Sequence, residues 1–167
     1  SDIGSLQQTL KEVDRCPRSI QSHYTTGNLE SSDKDVRERS STKVQSAIRF
    51  LSELGGNVVI VHPTGPVDED SVPYDSFTYG ELVKYLGDSV YKLSEIAIES
   101  GVQIALENLH RKPDDGWIVR PLESMQELRS FIHMFDSTYV GICMDVGHTR
   151  LSGLEDRKST RLNSSHA

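Results

Sequence analysis

Three times along this chain an amphipathic helical pattern runs into a short, almost wholly apolar segment, and few folds accommodate that succession. From Ser31, SSDKDVRERSSTKVQSAIRFLSELGG places Val36, Val44, Ala47, Ile48, Leu51 and Leu54 at helical spacing, with a Ser or Asp as cap and Gly55-Gly56 as stop. NVVIVHP follows, a β-branched run of the kind buried on both faces, closed by Pro63, which also holds His62 extended. Residues 64–76 read as a loop. A second helix is expected from about Phe77 to Ser100, with Leu82, Leu86, Val90, Leu93 and Ala97 on one stripe and Gly101 as stop, and VQIALEN is the second strand. After the loop HRKPDDGWIVRP, Met125, Leu128, Ile132 and Phe135 mark a third helix, and YVGICMD a third strand. Strands joined through helices run parallel, so the fold class is α/β, with parallel strands and outer helices, either closed into a barrel or left as an open sheet. Residues 1–30 carry less signal. LQQTLKEV suits a turn or two of helix, and QSHYTTGNLESSD reads as polar loop.

The composition is that of one globular domain: 167 residues, 35% apolar and 26% charged. No apolar run approaches the roughly 18 to 20 residues of a spanning helix, and SDIGSLQQTLKEVD lacks the apolar core of a secretory signal. A soluble, cytoplasmic protein without membrane contact is expected. Cys16 and Cys143 are far apart and lack metal-type spacing, so neither a disulfide framework nor a zinc ribbon is supported. The net charge of −7, with no basic run, argues against binding nucleic acid through its phosphates. There is no G-x-G-x-x-G, no phosphate loop and no G-x-S-x-G, which leaves nucleotide binding and serine hydrolysis without support.

The end of the chain needs its own explanation. After Gly153 the apolar periodicity stops, and Asp156 to His166 matches, at all eleven positions, the conceptual translation of a short-read sequencing adapter. Residues 156–167 are therefore read as an adapter-derived tail, and 1–155 as the natural domain, interrupted in mid-fold. Without the tail, 15 basic and 24 acidic residues remain, a net charge near −9.

Polar residues fall where the chemistry of such a fold belongs. Each apolar strand ends in groups that bind metals or move protons: His62, then Glu107 with Asn108, then Asp145 with His148. Ligands bind at the carboxyl ends of strands in α/β folds, so all three ends point to one rim. Glu107 directly follows Ile104-Ala105-Leu106, where an unpaired carboxylate is costly to bury. A metal would explain it, as would an Arg from a neighbouring strand or loop amides. Asp145 has the same context, with a helix or turn cap as its plainer role. His148, three residues on, lies in a turn where it can converge with Asp145 on one ion. Taken alone, a His such as His62 is more often a structural histidine than a ligand. Together they make a ligand set for a divalent ion. His110 and Arg111 on the following loop are candidates for substrate contacts, and Trp117 for a pocket cap or a sugar-stacking surface. His23 and His133 read as surface residues.

VVIVHPTGP, GVQIALENLH and VGICMDVGHTRLSG, in this order and spacing, resemble the xylose-isomerase-like TIM-barrel superfamily, which includes sugar phosphate isomerases/epimerases and endonuclease IV. The resemblance spans about Val36 to Gly153. It implies a partial (β/α)8 barrel in which the three strands are the third, fourth and fifth, and SDIGSL lies just after the second. A complete barrel needs about 250 residues. The family's metal site takes a Glu and an Asp from the fourth and fifth strands, matching Glu107 and Asp145, and adds a His and a Glu from farther along, beyond this chain.

For a sugar or sugar phosphate isomerase or epimerase, the resemblance implies a divalent ion (Mn, Mg, Co or Zn) that polarises a substrate carbonyl and the adjacent hydroxyl. Glu107 then acts as proton acceptor through an enediolate, with His148 on a substrate oxygen and Asn108, His110 and Trp117 as further substrate contacts. In the endonuclease reading, His62 and His148 become direct ligands of a zinc cluster that hydrolyses DNA phosphodiesters. A barrel-derived binding protein without catalysis is the third reading. The acidic composition favours the sugar enzyme. Lacking the later ligands, the chain alone is expected to be inactive, and poorly soluble because an interrupted barrel leaves strand edges unpaired.

Overall fold

A computed structural model describes residues 3–12, 19–21, 28–65, 79–109, 122 and 124–151. Along the chain come α1 (Ile3–Glu12), β1 (Ser19–Gln21), α2 (Lys34–Glu53), β2 (Val58–Val61), α3 (Tyr79–Ser100), β3 (Gln103–Glu107), α4 (Met125–Ile132), β4 (Val140–Cys143) and α5 (Val146–Leu151). The four strands form one parallel sheet in the order β1-β2-β3-β4. A doubly wound open sheet reverses its strand order at a switch point, and the described strands show no reversal. Each crossover steps in the same direction and α3 packs on both α2 and β3, which is the wall of a barrel.

The helix boundaries have local causes. The Asp33 carboxylate caps α2 by accepting the amides of Asp35 and Val36 at 2.8 and 3.3 Å, and Gly55 (φ 73°) turns the chain away from its end. Gly101 (φ 65°) does the same after α3. At α4, Ser124 and Glu127 form a reciprocal capping box.

Strand periodicity sorts the side chains into two faces. Val59, Val61, Ile104 and Leu106 are fully buried and join Ile48, Leu51, Leu86, Val90, Leu93, Leu128 and Phe131 in the core between sheet and helices. The alternate residues face the barrel interior. Register aligns Ile60, Ala105 and Gly141 as one rung, and Glu107 with Cys143 as the rung two residues higher. His62, two residues after Ile60, belongs to that upper level.

Several expectations change. β1 falls between α1 and β2, so SDIGSL lies one unit earlier than the resemblance placed it, and the described residues hold four strands where three were read from sequence. Gln21, read as loop, pairs with Ile60, and Leu29 and Glu30 are buried. The third helix ends at Ile132. Phe131 fills the core, and Phe135 lies past the helix end with its ring edge-on to Phe131 at 5.2 Å. His148 sits on a short helix, α5, rather than in a turn. Among the described residues no helix is long and apolar enough to cross a membrane. Cys16, His23, most of the 64–76 loop and the 156–167 tail lie outside the described residues.

Candidate functional site

The upper interior rung brings the strand-end residues together. Glu107 closes β3 and is 5% exposed. Its Oε2 lies 3.2 Å from His62 Nε2, beyond the end of β2, and its Oε1 lies 3.4 Å from His148 Nδ1, on the first turn of α5. The two imidazole rings meet edge to face at 6.2 Å across the same carboxylate. Asp145 Oδ2 is 3.9 Å from His148 Nδ1, and ligand atoms of Glu107, Asp145 and His148 lie within 4.8 Å of one another.

Local structure fixes each group. Asp145 precedes α5, and its Oδ1 accepts the His148 backbone N–H at 2.8 Å. One Asp145 oxygen thus caps the helix, the plainer role expected for it, while the carboxylate stays close to Glu107 and His148. Gly147 leaves room for this, since a Cβ there would come within 3.0 Å of Oδ1. The His148 ring is oriented by Nδ1, 2.8 Å from the Asn108 carbonyl oxygen. A carbonyl only accepts, so Nδ1 carries the hydrogen in this arrangement.

The two carboxylates are driven apart electrostatically. Burial pushes the Glu107 carboxyl above the usual range, and a hydrogen bond to Asp145 adds to this against the opposing pull of His148. The His148 backbone N–H holds Asp145 below its ordinary value. Cys143, across the ladder from Glu107, has its thiol raised by burial and then by both carboxylates. One acid is thus poised to take a proton while its neighbour stays ionised, a division typical of proton-transfer sites. Two carboxylates and an imidazole are also the donor chemistry that divalent ions accept, and two negative charges match one such ion. On this donor set the residues fit a metal.

Asn108, expected among the substrate contacts, has its side chain engaged by the protein. Its Oδ1 accepts the Asp145 N–H at 2.6 Å, and its Nδ2 donates to the Asp145 carbonyl at 3.0 Å and to Thr149 Oγ1 at 3.2 Å. His110, Arg111 and Trp117 lie outside the described residues, and His133 is the exposed C-cap of α4. Sequence reasoning missed Thr149, and it missed Glu30, whose Oε1 accepts the Gly65 N–H at 3.1 Å and ties the segment after β1 to that after β2. Neither has a sequence signal, because Thr149 meets the Asn108 side chain 41 residues away and Glu30 a backbone amide 35 residues away.

A model of the family described as xylose isomerase-like TIM barrel matches residues 5–166. The chain belongs to that family. It is similar to an uncharacterised protein of Methanocaldococcus jannaschii, 28% identical over 134 residues, which cover 80% of this chain and 42% of the relative. Among solved structures it resembles a D-tagatose 3-epimerase-like protein (24% identity, TM-score 0.72, 88% of this chain and 51% of that one). It also resembles the apo form of the 3-keto-D-glucoside 4-epimerase YcjR from E. coli (20%, TM-score 0.76, 97% and 59%). The IolI protein with a bound zinc atom aligns at 18% identity and TM-score 0.72, over 92% and 49%. These likenesses show the barrel fold. The chain spans less than half of the curated relative and about half of two of these solved structures, reaching 59% of YcjR.

Proposed function

We propose that this chain supplies part of the active centre of a divalent-metal-dependent sugar or sugar phosphate isomerase or epimerase, which moves a proton through an enediolate. The observation that carries the reading is Glu107: a buried carboxylate with a raised pKa, facing the barrel interior, one oxygen against each of two imidazoles and Asp145 alongside. Its elevation suits a general base, which is most effective when its pKa lies near the working pH. Glu107 and Asp145 would hold the ion. Bound there, the ion would polarise a substrate carbonyl and the neighbouring hydroxyl. Glu107 then takes the proton from the acidified C–H, and His62 and His148 hold its two oxygens in place. With its Nδ1–H given to the Asn108 carbonyl, His148 keeps Nε2 to accept from a substrate hydroxyl.

The epimerase names of the similar structures support a sugar substrate. The endonuclease reading needs both His62 and His148 as ligands of a zinc cluster, and the acidic composition offers no basic run for DNA phosphates. His110 and Trp117 remain proposed substrate contacts. Residues 1–155 are proposed as the barrel segment and 156–167 as the adapter-derived tail. With a His and a Glu still to be supplied from the rest of the barrel, the 167-residue chain alone is expected to turn over no substrate.

The test is solvent exchange. The complete protein, given Mn, Mg, Co or Zn, is incubated in D2O with a panel of ketoses and their phosphates. Deuterium is expected at the carbon beside the carbonyl of a substrate in the panel, dependent on added metal. Cleavage of a duplex carrying an abasic site, with no deuterium in any sugar, would contradict the reading and support the nuclease.

A further inference from the structure

Asn108 occupies a junction that neither the metal nor the proton chemistry uses. The β3·β4 ladder ends at the Glu107 and Cys143 pair, and one further bond follows from the Asn108 N–H to the Cys143 carbonyl at 3.3 Å. Beyond that, the Asn108 side chain takes over the part of a strand. Its amide donates to the Asp145 carbonyl and accepts from the Asp145 N–H, the paired exchange that one backbone residue makes with another. The same residue's backbone carbonyl accepts the His148 Nδ1–H. Two groups therefore hang on one side chain of a residue that is 2% exposed, the Asp145 backbone and, through Thr149, the start of α5, while the main chain of the same residue holds the His148 ring. Thr149 Oγ1 closes the loop by accepting from Nδ2 and donating to the Asp145 carbonyl at 2.9 Å.

We infer that Asn108 is a positioning residue, whose amide acts as an extra rung of the sheet and fixes Asp145 and His148 relative to Glu107. This deepens the metal-dependent reading and rests on it. A carboxylate at the end of an open strand would otherwise wander by more than the few tenths of an ångström that a ligand set tolerates. Asn suits the place because it offers one donor and one acceptor on the same plane, matching a backbone C=O and N–H together. Asp lacks the donor, and Ser and Thr are too short to span both.

The experiment compares the wild-type protein with Asn108→Ala and Thr149→Val in the full-length chain. Mn2+ affinity is read by calorimetry, and backbone hydrogen exchange by mass spectrometry over residues 144–151. Asn108→Ala is expected to weaken Mn2+ about 10- to 100-fold, the usual cost of losing a partner that orients a ligand, and to speed exchange in 144–151 while leaving α2 and β2 protected. Thr149→Val keeps both Asn108 bonds to Asp145 and is expected to change affinity less than about threefold. Unchanged local exchange in Asn108→Ala, or a loss in Thr149→Val as large as in Asn108→Ala, would overturn the inference. So would exchange that quickens uniformly through α2 and β2. Where Asn108→Ala fails to fold, Asn108→Asp, which keeps the acceptor for the Asp145 N–H, carries the test: faster exchange confined to 144–151 supports the rung, and unchanged exchange there overturns it. Wild-type protein that binds no Mn2+ would defeat the metal reading, while the exchange data would still decide the role of Asn108.

Discussion

Glu107→Gln is expected to lower kcat about 10³- to 10⁴-fold, the upper range for loss of a general base, without lowering stability. Gln keeps the shape and the hydrogen-bonding capacity toward His62 and His148, but it neither ionises nor accepts a proton from carbon. The stability half of the prediction follows from linkage. The Glu107 carboxyl is raised in the folded state, chiefly by burial, so the folded protein binds this proton more tightly than the unfolded chain. Its contribution to stability is fully present below the ordinary carboxylate pKa and is lost as pH rises through the raised folded value. Above the ordinary carboxylate pKa, without metal, Glu107 therefore works against folding, and Gln removes that penalty. Thermal unfolding of the metal-free variant at pH 7 should show an unchanged or higher Tm alongside the lost activity. A Tm well below wild type would show that Glu107 is held for structure.

Asp145→Asn should separate charge from shape. Asn caps a helix about as well as Asp, so α5 and the His148 amide bond should survive, and stability should change little above the acid range. The metal should not survive as well: losing one of two carboxylates is expected to cost at least about 100-fold in Mn2+ affinity, more than the loss of an orienting partner. The pH dependence sharpens the test. Metal competes with the proton on Glu107, so affinity should fall as pH drops through the raised Glu107 value, while Asp145, held low by the His148 amide, stays ionised across that window. Asp145 contributes to raising Glu107, so in Asp145→Asn the window should move to lower pH. Calorimetric titrations of Mn2+ across a pH series would show the shift, and a pH-independent affinity in both proteins would exclude Glu107 as a ligand. Asp145 makes its own stability contribution above the ordinary Asp pKa and loses it as pH falls through its lowered folded value, the opposite sense to Glu107.

The parts of this site that were legible in the sequence are those encoded in runs. β2, β3 and β4 announce themselves because strands covered on both sides must be apolar nearly throughout, so a carboxylate at the end of such a run stands out, as Glu107 and Asp145 do. β1 could not be read in the same way. It is three residues long, and Ser19 and Gln21 flank its single Ile, so its pairing with β2 decides its structure rather than its own propensity. The six residues of α5 are too few for periodicity to show, which placed His148 in a turn. Ile132 and Phe135 share one stripe by spacing, yet α4 stops at the His133 C-cap, whose N–H reaches the Arg129 and Phe131 carbonyls, an end that hydrophobic spacing does not encode. The role of Asn108 was hidden most completely. Its partners lie 37 and 41 residues away and become reachable only through the register of β3 against β4.

The most direct test of the central claim is a crystal structure of the full-length protein grown with Mn2+ and measured at the manganese absorption edge. A single anomalous peak within ligand distance of Glu107 and Asp145 oxygens, with the Asn108 amide still bridging Asp145, is the predicted result. Full Mn2+ occupancy at another place, or none at these carboxylates under saturating Mn2+, would contradict it and leave the strand-end cluster without a metal to bind.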